Sequence, residues 1–272
     1  MTGRRRLDAE LVRRRLVASR EEAQEAIIAG RVVVDGAPAL KASRMVSPAE
    51  QLALTAPARR FVSRGGEKLA AALDRFGIDP TGRHALDAGA STGGFTDCLL
   101  QHGAAHVWAV DVGYGQLHEK LRADPRVTSL ERRNIRDFAL EAPVDLVVAD
   151  LSFISLRVVA PALVGGNAVA GADVVVLIKP QFEAGRAEAD RGRGVIRDPE
   201  VWARVLDEVR SAMYAEGATM MDLMVSPITG ADGNVEFLAH LRAHALGATI
   251  GASADTLISA AVAEARALVE GS

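Results

Sequence analysis

A glycine-rich loop carries the residues that most directly suggest chemistry. The stretch ALDAGASTGGFTD at residues 85–97 contains Gly89, Ser91 and Gly93 in a G-x-S-x-G pattern. This pattern is typical of the nucleophile elbow of serine hydrolases, in which the serine attacks an acyl carbon. The same segment is also typical of a loop that allows a nucleotide-like cofactor to approach the backbone closely. Ser91 is therefore either a nucleophile or a residue of a cofactor-binding loop.

The surroundings of the loop favour the cofactor interpretation. The loop follows the first predicted strand of the main domain, where nucleotide-type cofactors bind in doubly wound sheets. Asp111 ends the next predicted strand, 22 residues after Gly89, and is placed to accept hydrogen bonds from ribose hydroxyls. A hydrolase would need a later Asp and then a His, but His240 and His244 lie in a segment without a marked loop.

The identity of the middle residue distinguishes between two cofactors. Ser91 stands where the dinucleotide motif G-x-G-x-x-G has the glycine that a pyrophosphate needs for close approach. S-adenosylmethionine has no pyrophosphate and tolerates a serine there, and Asp87 is similar to the acidic residue of S-adenosylmethionine loops. We therefore expect S-adenosylmethionine as the cofactor, with Ser91 and Thr92 orienting its carboxylate at a helix N-terminus and Asn134 contacting its adenine. The full predicted set is Asp87, Gly89, Ala90, Ser91, Thr92, Gly93, Asp111 and Asn134.

Four ionisable residues stand before the predicted sheet or at its strand ends. Lys68 lies in SRGGEKL, Asp150 ends the fourth strand, Lys179 follows VVVLI, and Glu236 lies in GNVEFL. The fourth strand continues as VVADLSFIS, without the Pro-Pro-aromatic run of base N-methyltransferases. Cys98, the nucleophile that a 5-methylcytosine enzyme would need, lies among apolar residues of a predicted helix, and we expect it in the core.

Seven short apolar segments that alternate with helical stretches must position these residues. Such continuous apolar runs are typical of strands covered by helices on both faces, so we predict a parallel α/β sheet with ligands at the carboxyl ends of its strands. The last two strands flank PITGADGN and predict an antiparallel hairpin at the edge of the sheet. This arrangement is similar to the Rossmann-like class I methyltransferase fold. The predicted strands are His84–Ala88, His106–Val112, Val127–Leu130, Val144–Asp150, Asp173–Ile178, Thr219–Val225 and Val235–Leu241.

The first 60 residues predict a separate small α+β unit. The order is a helix from Arg6 to Val17, a second helix opened by Ser19 and Glu22 in a capping box, a hairpin at 31–39 and a closing strand at 52–56. With its R-L-D start and its S-R-x-x-A and G-x-V-x-V-x-G segments, it resembles the S4-type RNA-binding domain, which reads RNA shape more than sequence. We predict this domain at residues 1–58, a short linker at 59–65 and the Rossmann-like methyltransferase domain at 66–272.

The distribution of charge agrees with binding of a polyanion by the N-terminal unit. The chain has a net charge of −3, but residues 1–64 have a net charge of +6 and the remainder −9. Arg4, Arg6, Arg14, Arg20 and Lys41 can lie on one face and meet phosphates, unless they form only a solvated basic surface.

The composition limits the environment in which the chain works. With a single cysteine there is no internal disulfide, which favours a reducing cytoplasm. The charged N-terminus predicts no secretory signal, and the apolar stretch from Ala162 to Ile178 is too polar to span a membrane. We expect no membrane partner and no required metal.

The motifs SRGGEKL, DAGASTGGFTD, DVGYGQL, ADLSFIS, KPQFE and GNVEF, together with the S4-type unit, closely resemble the TlyA family over nearly the whole chain. The resemblance implies 2′-O-methylation of cytidines in 16S and 23S rRNA within ribosomal subunits, a haemolysin designation and sensitivity to antibiotics such as capreomycin. The N-terminal start and the predicted C-terminal helix at Ala254–Val269 are similar to the longer form, which modifies both subunits.

The Lys–Asp–Lys–Glu order resembles that of ribose 2′-O-methyltransferases and implies a role for each residue. Lys179 would be the general base or would orient the hydroxyl, with Lys68 beside it. Asp150 would hold Lys179 near the cofactor sulfonium, and Glu236 would complete the ion network. In the same domain, Arg64, Arg132, Arg133 and Arg136 could reach RNA phosphates, and Phe153 either stacks on a flipped nucleotide or belongs to the core.

Other readings of the chain lead to different functions. A ribosome-binding assembly factor with an inactive methyltransferase domain would lack methyl transfer. A membrane-lytic protein would need an amphipathic basic helix or a long apolar segment, and neither is found. A pseudouridine synthase is disfavoured by the cofactor loop and by the lack of a G-R-L-D segment in the main domain.

Residues 183–198 are rich in glycine and charge and predict a mobile flap over the site.

Overall fold

The computed structural model describes residues 3–28, 30–55, 60–185, 188, 194–230, 232–244 and 253–270. The chain divides into two compact units, Met1–Arg60 and Phe61–Ser272. Of the predicted flap at 183–198, residues 186–187 and 189–193 lie outside the described ranges.

The first unit is a small α+β fold around one apolar core. Its elements are β1 (Arg5–Arg6), α1 (Leu7–Arg13), α2 (Arg20–Ile28), β2 (Val32–Val34), β3 (Ala37–Pro38), β4 (Met45–Val46) and β5 (Leu52–Leu54). The strand order β3-β2-β5 forms an antiparallel sheet, and β1 pairs with β4. The core is built by residues at helical and alternating spacing: Leu7, Leu11, Ala23, Ala26, Ile27, Val32, Val34, Ala39 and Val46.

The turns of this unit explain where its helices end. The predicted first helix is too long, because Arg15 adopts a left-handed φ of 57° and α1 ends at Arg13. Ser19 accepts a hydrogen bond from the Glu22 amide at 3.2 Å at the start of α2. Asp35 and Gly36, with φ of 50° and 80°, form the turn between β2 and β3, as Asp-Gly favours.

The second unit contains a seven-stranded sheet in the order β11-β12-β10-β9-β6-β7-β8. Neighbours from β10 to β8 run parallel, whereas β12 is antiparallel to both β10 and β11. The last two strands thus pair at one edge of the sheet as predicted, with β11 as the outer strand and β12 between it and β10. The strands are β6 (His84–Ala88), β7 (His106–Val110), β8 (Val127–Leu130), β9 (Val144–Ala149), β10 (Ala168–Ile178), β11 (Thr219–Val225) and β12 (Phe237–Arg242).

Helices cover both faces of this sheet, and most residues of its central strands β6, β9 and β10 are buried. One core contains residues of α3 and α4, and the other contains residues of α6, α8 and α9. The helices are α3 (Gly65–Phe76), α4 (Gly94–Gln101), α5 (Glu119–Arg122), α6 (Leu156–Ala160), α7 (Pro180–Glu183), α8 (Pro199–Ala215) and α9 (Ala254–Glu270). No helix in the described ranges is long and apolar enough to cross a membrane.

The N-termini of α3 and α4 pack closely, and glycines make this contact possible. A Cβ atom on Gly66 would lie 2.3 Å from Cγ of the buried Phe61, and one on Gly94 would lie 2.2 Å from Oγ of Ser63. The Asp97 carboxylate of α4 accepts a hydrogen bond from the Val62 amide at 2.8 Å. Residues 61–65, which the sequence predicts as linker, therefore pack on the second unit.

This close packing predicts opposite effects of alanine at two adjacent glycines. An alanine at Gly66 would overpack the core against Phe61, and we expect Gly66→Ala to cost about 1–3 kcal/mol of unfolding free energy. At Gly65 the nearest atom to an added Cβ lies 3.4 Å away, so Gly65→Ala should be neutral or stabilising. Urea unfolding of both variants measures the difference, and equal stability of the two would contradict this account of the contact.

Candidate functional site

Two neighbouring cavities open at the carboxyl ends of the strands. The larger, of about 620 Å³, lies beside the ends of β6, β7 and β9. The smaller, of about 260 Å³, reaches the N-termini of α3 and α4 and the end of β10. Gly89, Ser91, Asp150 and Ser152 line both cavities. A molecule held in the larger cavity can therefore present a group to a second molecule in the smaller one.

The glycine-rich loop forms the wall between β6 and α4, and its shape depends on missing side chains. The loop backbone adopts φ of 84° at Gly89 and 96° at Gly93. A Cβ on Gly89 would lie 2.5 Å from the Asp150 carbonyl oxygen, and one on Gly93 would lie 2.3 Å from Leu121. Gly89 thus lets the loop turn directly against the end of β9, and Gly93 lets it lie against Leu121 of α5.

Asp111 holds the loop from the end of the neighbouring strand. Its carboxylate accepts hydrogen bonds from the amides of Ser91 at 2.8 Å and Gly113 at 2.6 Å. The Ser91 hydroxyl lies 3.4 Å from the Gln116 side-chain oxygen. Gln116 also lines the larger cavity, and the sequence reasoning missed it. Asp111 thus shapes the cofactor-type loop as well as facing the cavity.

Asp87 and Gly93, predicted to bind the cofactor, line neither of these two cavities. The Asp87 carboxyl is fully buried and accepts a hydrogen bond from the Thr96 hydroxyl of α4 at 2.6 Å. Burial raises the pKa of Asp87 to about 7, against the effect of the Thr96 bond. Asp87 therefore acts beneath the loop, by joining β6 to α4.

The four predicted catalytic residues form two ion pairs. The Lys179 ammonium lies 2.5 Å from Oδ1 of Asp150 and donates a hydrogen bond to the Ser152 hydroxyl at 3.1 Å. Lys68 of α3 pairs with Glu236, which precedes β12, and both are largely buried. Both lysines and Asp150 line the smaller cavity, whereas Glu236 contacts it through Lys68. The structure thus brings two ammonium groups and one carboxylate to one polar cavity.

Aromatic and basic side chains surround the mouths of the cavities. The Phe153 side chain is 91% exposed, which excludes the alternative that it belongs to the core. Its ring centroid lies 5.1 Å from that of Phe182. Arg64 lines the smaller cavity and Arg133 the larger one. The Arg132 guanidinium lies 4.2 Å above the ring of the exposed Tyr114.

Two further predicted residues lie in the turn that follows β8. Asn134 lines the larger cavity, but its side-chain oxygen accepts a hydrogen bond from the Arg136 amide at 3.1 Å. Arg136 is exposed and lines neither cavity. The side-chain amide nitrogen of Asn134 is therefore the group that can face a ligand.

The predicted basic face of the first unit is partly used by the fold. Arg6 and Arg20 both contact the buried Asp8 carboxylate, at 3.0 and 2.9 Å, and the Arg6 guanidinium holds the pKa of Asp8 well below its usual range. Arg14 is bound by Glu10 and donates to the carbonyls of Ser47, Pro48 and Glu50. Its guanidinium therefore already has partners within the fold, and a phosphate contact by Arg14 stays a prediction. Arg4 and Lys41 are exposed.

Comparison with known proteins gives the same division of the chain. The family model described as FtsJ-like methyltransferase matches residues 61–243, and the S4 domain matches residues 5–52. The fold and the site therefore define a methyltransferase of the FtsJ-like class joined to an S4 domain. A relative from Mycobacterium tuberculosis, named 16S/23S rRNA (cytidine-2′-O)-methyltransferase TlyA, is 52% identical over 89% of this chain and 91% of its own. This chain belongs to the TlyA family.

Solved structures agree with this assignment. A protein from Streptococcus thermophilus, named as a hemolysin, superimposes with a TM-score of 0.76 at 38% identity and covers 100% of this chain and 98% of its own. A protein from Listeria monocytogenes, named as an S-adenosylmethionine-dependent methyltransferase, has a TM-score of 0.50 at 16% identity, over 66% of this chain and 99% of its own. The second likeness concerns the fold alone.

The buried Asp87 predicts a pH-dependent component of stability. Its pKa is about 7 in the folded chain and 3.8 without burial, so between these values the folded state binds more protons than the unfolded state. Stability from this group is therefore lost as pH rises from about 4 to 7, by at most ~4 kcal/mol at ~1.4 kcal/mol per pKa unit.

We expect Asp87→Asn to remove this component, because asparagine does not titrate. Urea unfolding at pH 5 and pH 8 should show that the variant gains stability relative to the wild type at the higher pH. The control is Glu141→Gln, since Glu141 is exposed. A wild-type-to-variant difference that is the same at both pH values would contradict the assignment.

Proposed function

We propose that this chain transfers a methyl group from S-adenosylmethionine to the ribose 2′-hydroxyl of cytidines in 16S and 23S rRNA within ribosomal subunits. The observation that carries the proposal is the Asp150–Lys179 ion pair, which lies where the two cavities meet. The name of the Mycobacterium tuberculosis relative, 52% identical over most of both chains, supports the choice of nucleoside and of both RNAs.

The larger cavity fits the cofactor. Gly89 lets its wall lie directly against the Asp150 carbonyl, where a Cβ would clash, and its chemistry suits a nucleoside: carboxylate oxygens of Asp111, the amide of Asn134 and the apolar side chains of Ile135 and Leu151. Asp111 would hold the ribose hydroxyls. Ser91, which lines both cavities, and Thr92, which lines the smaller one, would hold the amino-acid end where the two cavities meet. When bound, S-adenosylmethionine supplies a methyl group on a positively charged sulfur.

The smaller cavity fits the nucleotide that receives the methyl group. A neutral hydroxyl is a weak nucleophile, and groups that fix its oxygen in line with the methyl carbon contribute most to the rate. Such alignment can supply roughly 7–11 kcal/mol, whereas general-base help is worth about 10²–10⁴-fold. Lys179, fixed by Asp150 and Ser152, is the group we assign to orient the hydroxyl as an ammonium donor or, as the neutral amine, to accept its proton.

The second ion pair supports this arrangement without joining the first. Lys68 lines the same cavity as Lys179. The charge of Lys68 is neutralised by Glu236, which does not itself line the cavity. An ammonium group beside the hydroxyl would also attract the phosphate of the bound nucleotide. We therefore assign Lys68 to orient the substrate and Glu236 to hold Lys68.

The RNA would reach this cavity over exposed basic and aromatic side chains. Phe153 presents a ring at the mouth of the larger cavity, where an extruded base could stack on it. Arg64 and Arg133 line the cavities and could contact phosphates. In the first unit, the exposed Arg4 and Lys41 and the partly exposed Arg6 and Arg20 would bind RNA, since their ion pairs leave surface free.

The catalytic assignment predicts the effect of Lys179→Met. This change removes the ammonium group from the smaller cavity, and we expect methyl transfer to fall by at least about 10² while S-adenosylmethionine still binds. Tritium transfer to isolated ribosomal subunits measures the rate, and calorimetry measures cofactor binding. The matched control is Lys120→Met, since Lys120 also pairs with an aspartate, Asp97, but lines neither cavity.

Near-normal turnover of Lys179→Met would show that the assigned chemistry is wrong. If the protein is an assembly factor without enzymatic activity, the wild-type chain itself will transfer no labelled methyl group. Haemolysis of erythrocytes by the purified chain would support the membrane-lytic alternative.

The RNA-binding assignment predicts a salt-dependent effect of Lys41→Glu. If Lys41 contacts a phosphate, the variant should bind ribosomal subunits more weakly, and the slope of log affinity against log salt should fall by about 1. Affinity for S-adenosylmethionine should not change. The control is Arg75→Glu, on a residue of α3 that pairs with Asp222. An unchanged salt slope for Lys41→Glu would remove Lys41 from the RNA-binding surface.

A further inference from the structure

Glu183 is a buried acid close to the site that none of the assigned roles uses. It ends α7, the short helix that follows Lys179, and its side chain is about 3% exposed. Burial raises its pKa, while the hydrogen bonds that it accepts act in the opposite direction. A buried carboxyl is costly to maintain, so its partners indicate what it stabilises.

Those partners all lie at the end of a different loop. The carboxylate accepts hydrogen bonds from the Ser155 hydroxyl at 2.5 Å and from the Leu156 amide at 2.7 Å. Arg157 lies 3.5 Å from the same carboxylate and donates to the Glu183 carbonyl at 2.8 Å. Glu183 therefore joins the segment after β10 to the start of α6, where residues 151–154 end.

The loop at 151–154 needs such a restraint at both ends. Phe153 adopts a left-handed φ of 65°, which a phenylalanine keeps only when its surroundings impose it. Before the loop, the Asp150 amide donates a hydrogen bond to the Ala88 carbonyl at 3.0 Å, and the Asp150 carboxylate pairs with Lys179. After the loop, Glu183 fixes Ser155 and Leu156. The Phe153–Phe182 ring contact lies between these two restraints.

This loop belongs to both halves of the reaction site. Leu151, Ser152, Phe153 and Ile154 line the larger cavity, and Ser152 also accepts the hydrogen bond from Lys179. A shift of the loop would therefore displace the wall of the cofactor cavity, the Lys179 ammonium and the exposed Phe153 ring together.

We propose that Glu183 is a positioning residue for methyl transfer: it holds the 151–154 loop against the segment after Lys179, so that Ser152 and Phe153 keep their places beside the ion pair. This inference rests on the proposed function. Glu183 touches neither substrate nor cofactor and acts through the loop.

The first experiment compares full-length Glu183→Ala, Glu183→Gln and Glu208→Gln in steady-state methyl transfer to ribosomal subunits. We expect Glu183→Ala to lower kcat by about 10–100-fold, since small displacements of positioned groups have effects of this size. KM for S-adenosylmethionine should rise by a smaller factor than kcat falls, because residues 151–154 form only one wall of the cofactor cavity and the loop at 89–93 and Asp111 remain in place. Glu183→Gln keeps an acceptor for the Leu156 amide and should recover most of the rate.

Glu208→Gln is the matched control, because Glu208 binds Arg157 at 2.6 Å but makes none of the bonds from Glu183 to residues 155 and 156. It should leave kcat unchanged. Wild-type kcat in Glu183→Ala would overturn the proposal, as would an equal loss in Glu208→Gln.

A double-mutant cycle tests whether Glu183 acts through the loop. If it positions Phe153, Glu183→Ala should reduce kcat far less in a Phe153→Ala background than in the wild type, because coupled residues are not additive. A general loss of folded protein would give additive effects, and full additivity would overturn the proposal. Should Glu183→Ala fail to fold, the same cycle is run with Ser155→Ala, which removes one of the two donors.

Hydrogen exchange separates failure of this proposal from failure of the proposed function. The Leu156 amide should exchange much faster in Glu183→Ala than in the wild type, whereas the amides of β9 should not change. If the wild-type chain methylates no ribosomal RNA, the proposed function fails, and the exchange result alone decides whether the restraint exists. Unchanged exchange at Leu156 would overturn the restraint itself.

Discussion

The site depends on one ion pair between the ends of adjacent parallel strands. In the register of β9 and β10, Ala149 lies opposite Val176, which brings the loops that begin at Asp150 and Lys179 to the same edge of the sheet. The pair is largely buried, with its two side chains 24% and 11% exposed. Partly buried ion pairs gain little net stability because desolvation opposes their attraction. Its position where two cavities meet is the observation that supports the catalytic role proposed for it.

Glycine determines how closely the other elements approach this pair. Gly89 lets the first loop of the sheet touch the Asp150 carbonyl, and Gly66 and Gly94 let α3 and α4 bring their N-termini to the smaller cavity. Because α3 lies so close, the Lys68 side chain that it carries lines the smaller cavity. Gly66, Gly89 and Gly94 thus serve the same purpose, which is to place backbone where side chains would otherwise keep the elements apart.

Sequence patterns predicted what depends on local periodicity and failed where distant residues meet. Apolar runs predicted the strands. The resemblance to ribose 2′-O-methyltransferases pointed to Lys68, Asp150, Lys179 and Glu236, which the structure joins in two ion pairs, while their catalytic roles stay predictions. The position of β12 between β10 and β11 depends on long-range pairing, which no local pattern contains. Glu183 was missed because its partners lie 27 and 28 residues earlier in the chain. The sequence did not distinguish Arg14 from the other basic residues predicted to contact phosphates, because only the structure shows that its guanidinium is held by Glu10 and three carbonyls.

The division into two ion pairs bears on how the site could work. If all four residues formed one network, removal of any one of them would change the electrostatic environment of the other three. Instead, Lys68 has Glu236 and Lys179 has Asp150, so each lysine keeps its own counter-charge and can be placed independently at the wall of the smaller cavity. Two fixed cations on a ribose and its phosphate restrict rotation of the nucleotide as well as translation. The arrangement is therefore better suited to aligning a hydroxyl with the methyl group than to moving protons along a relay.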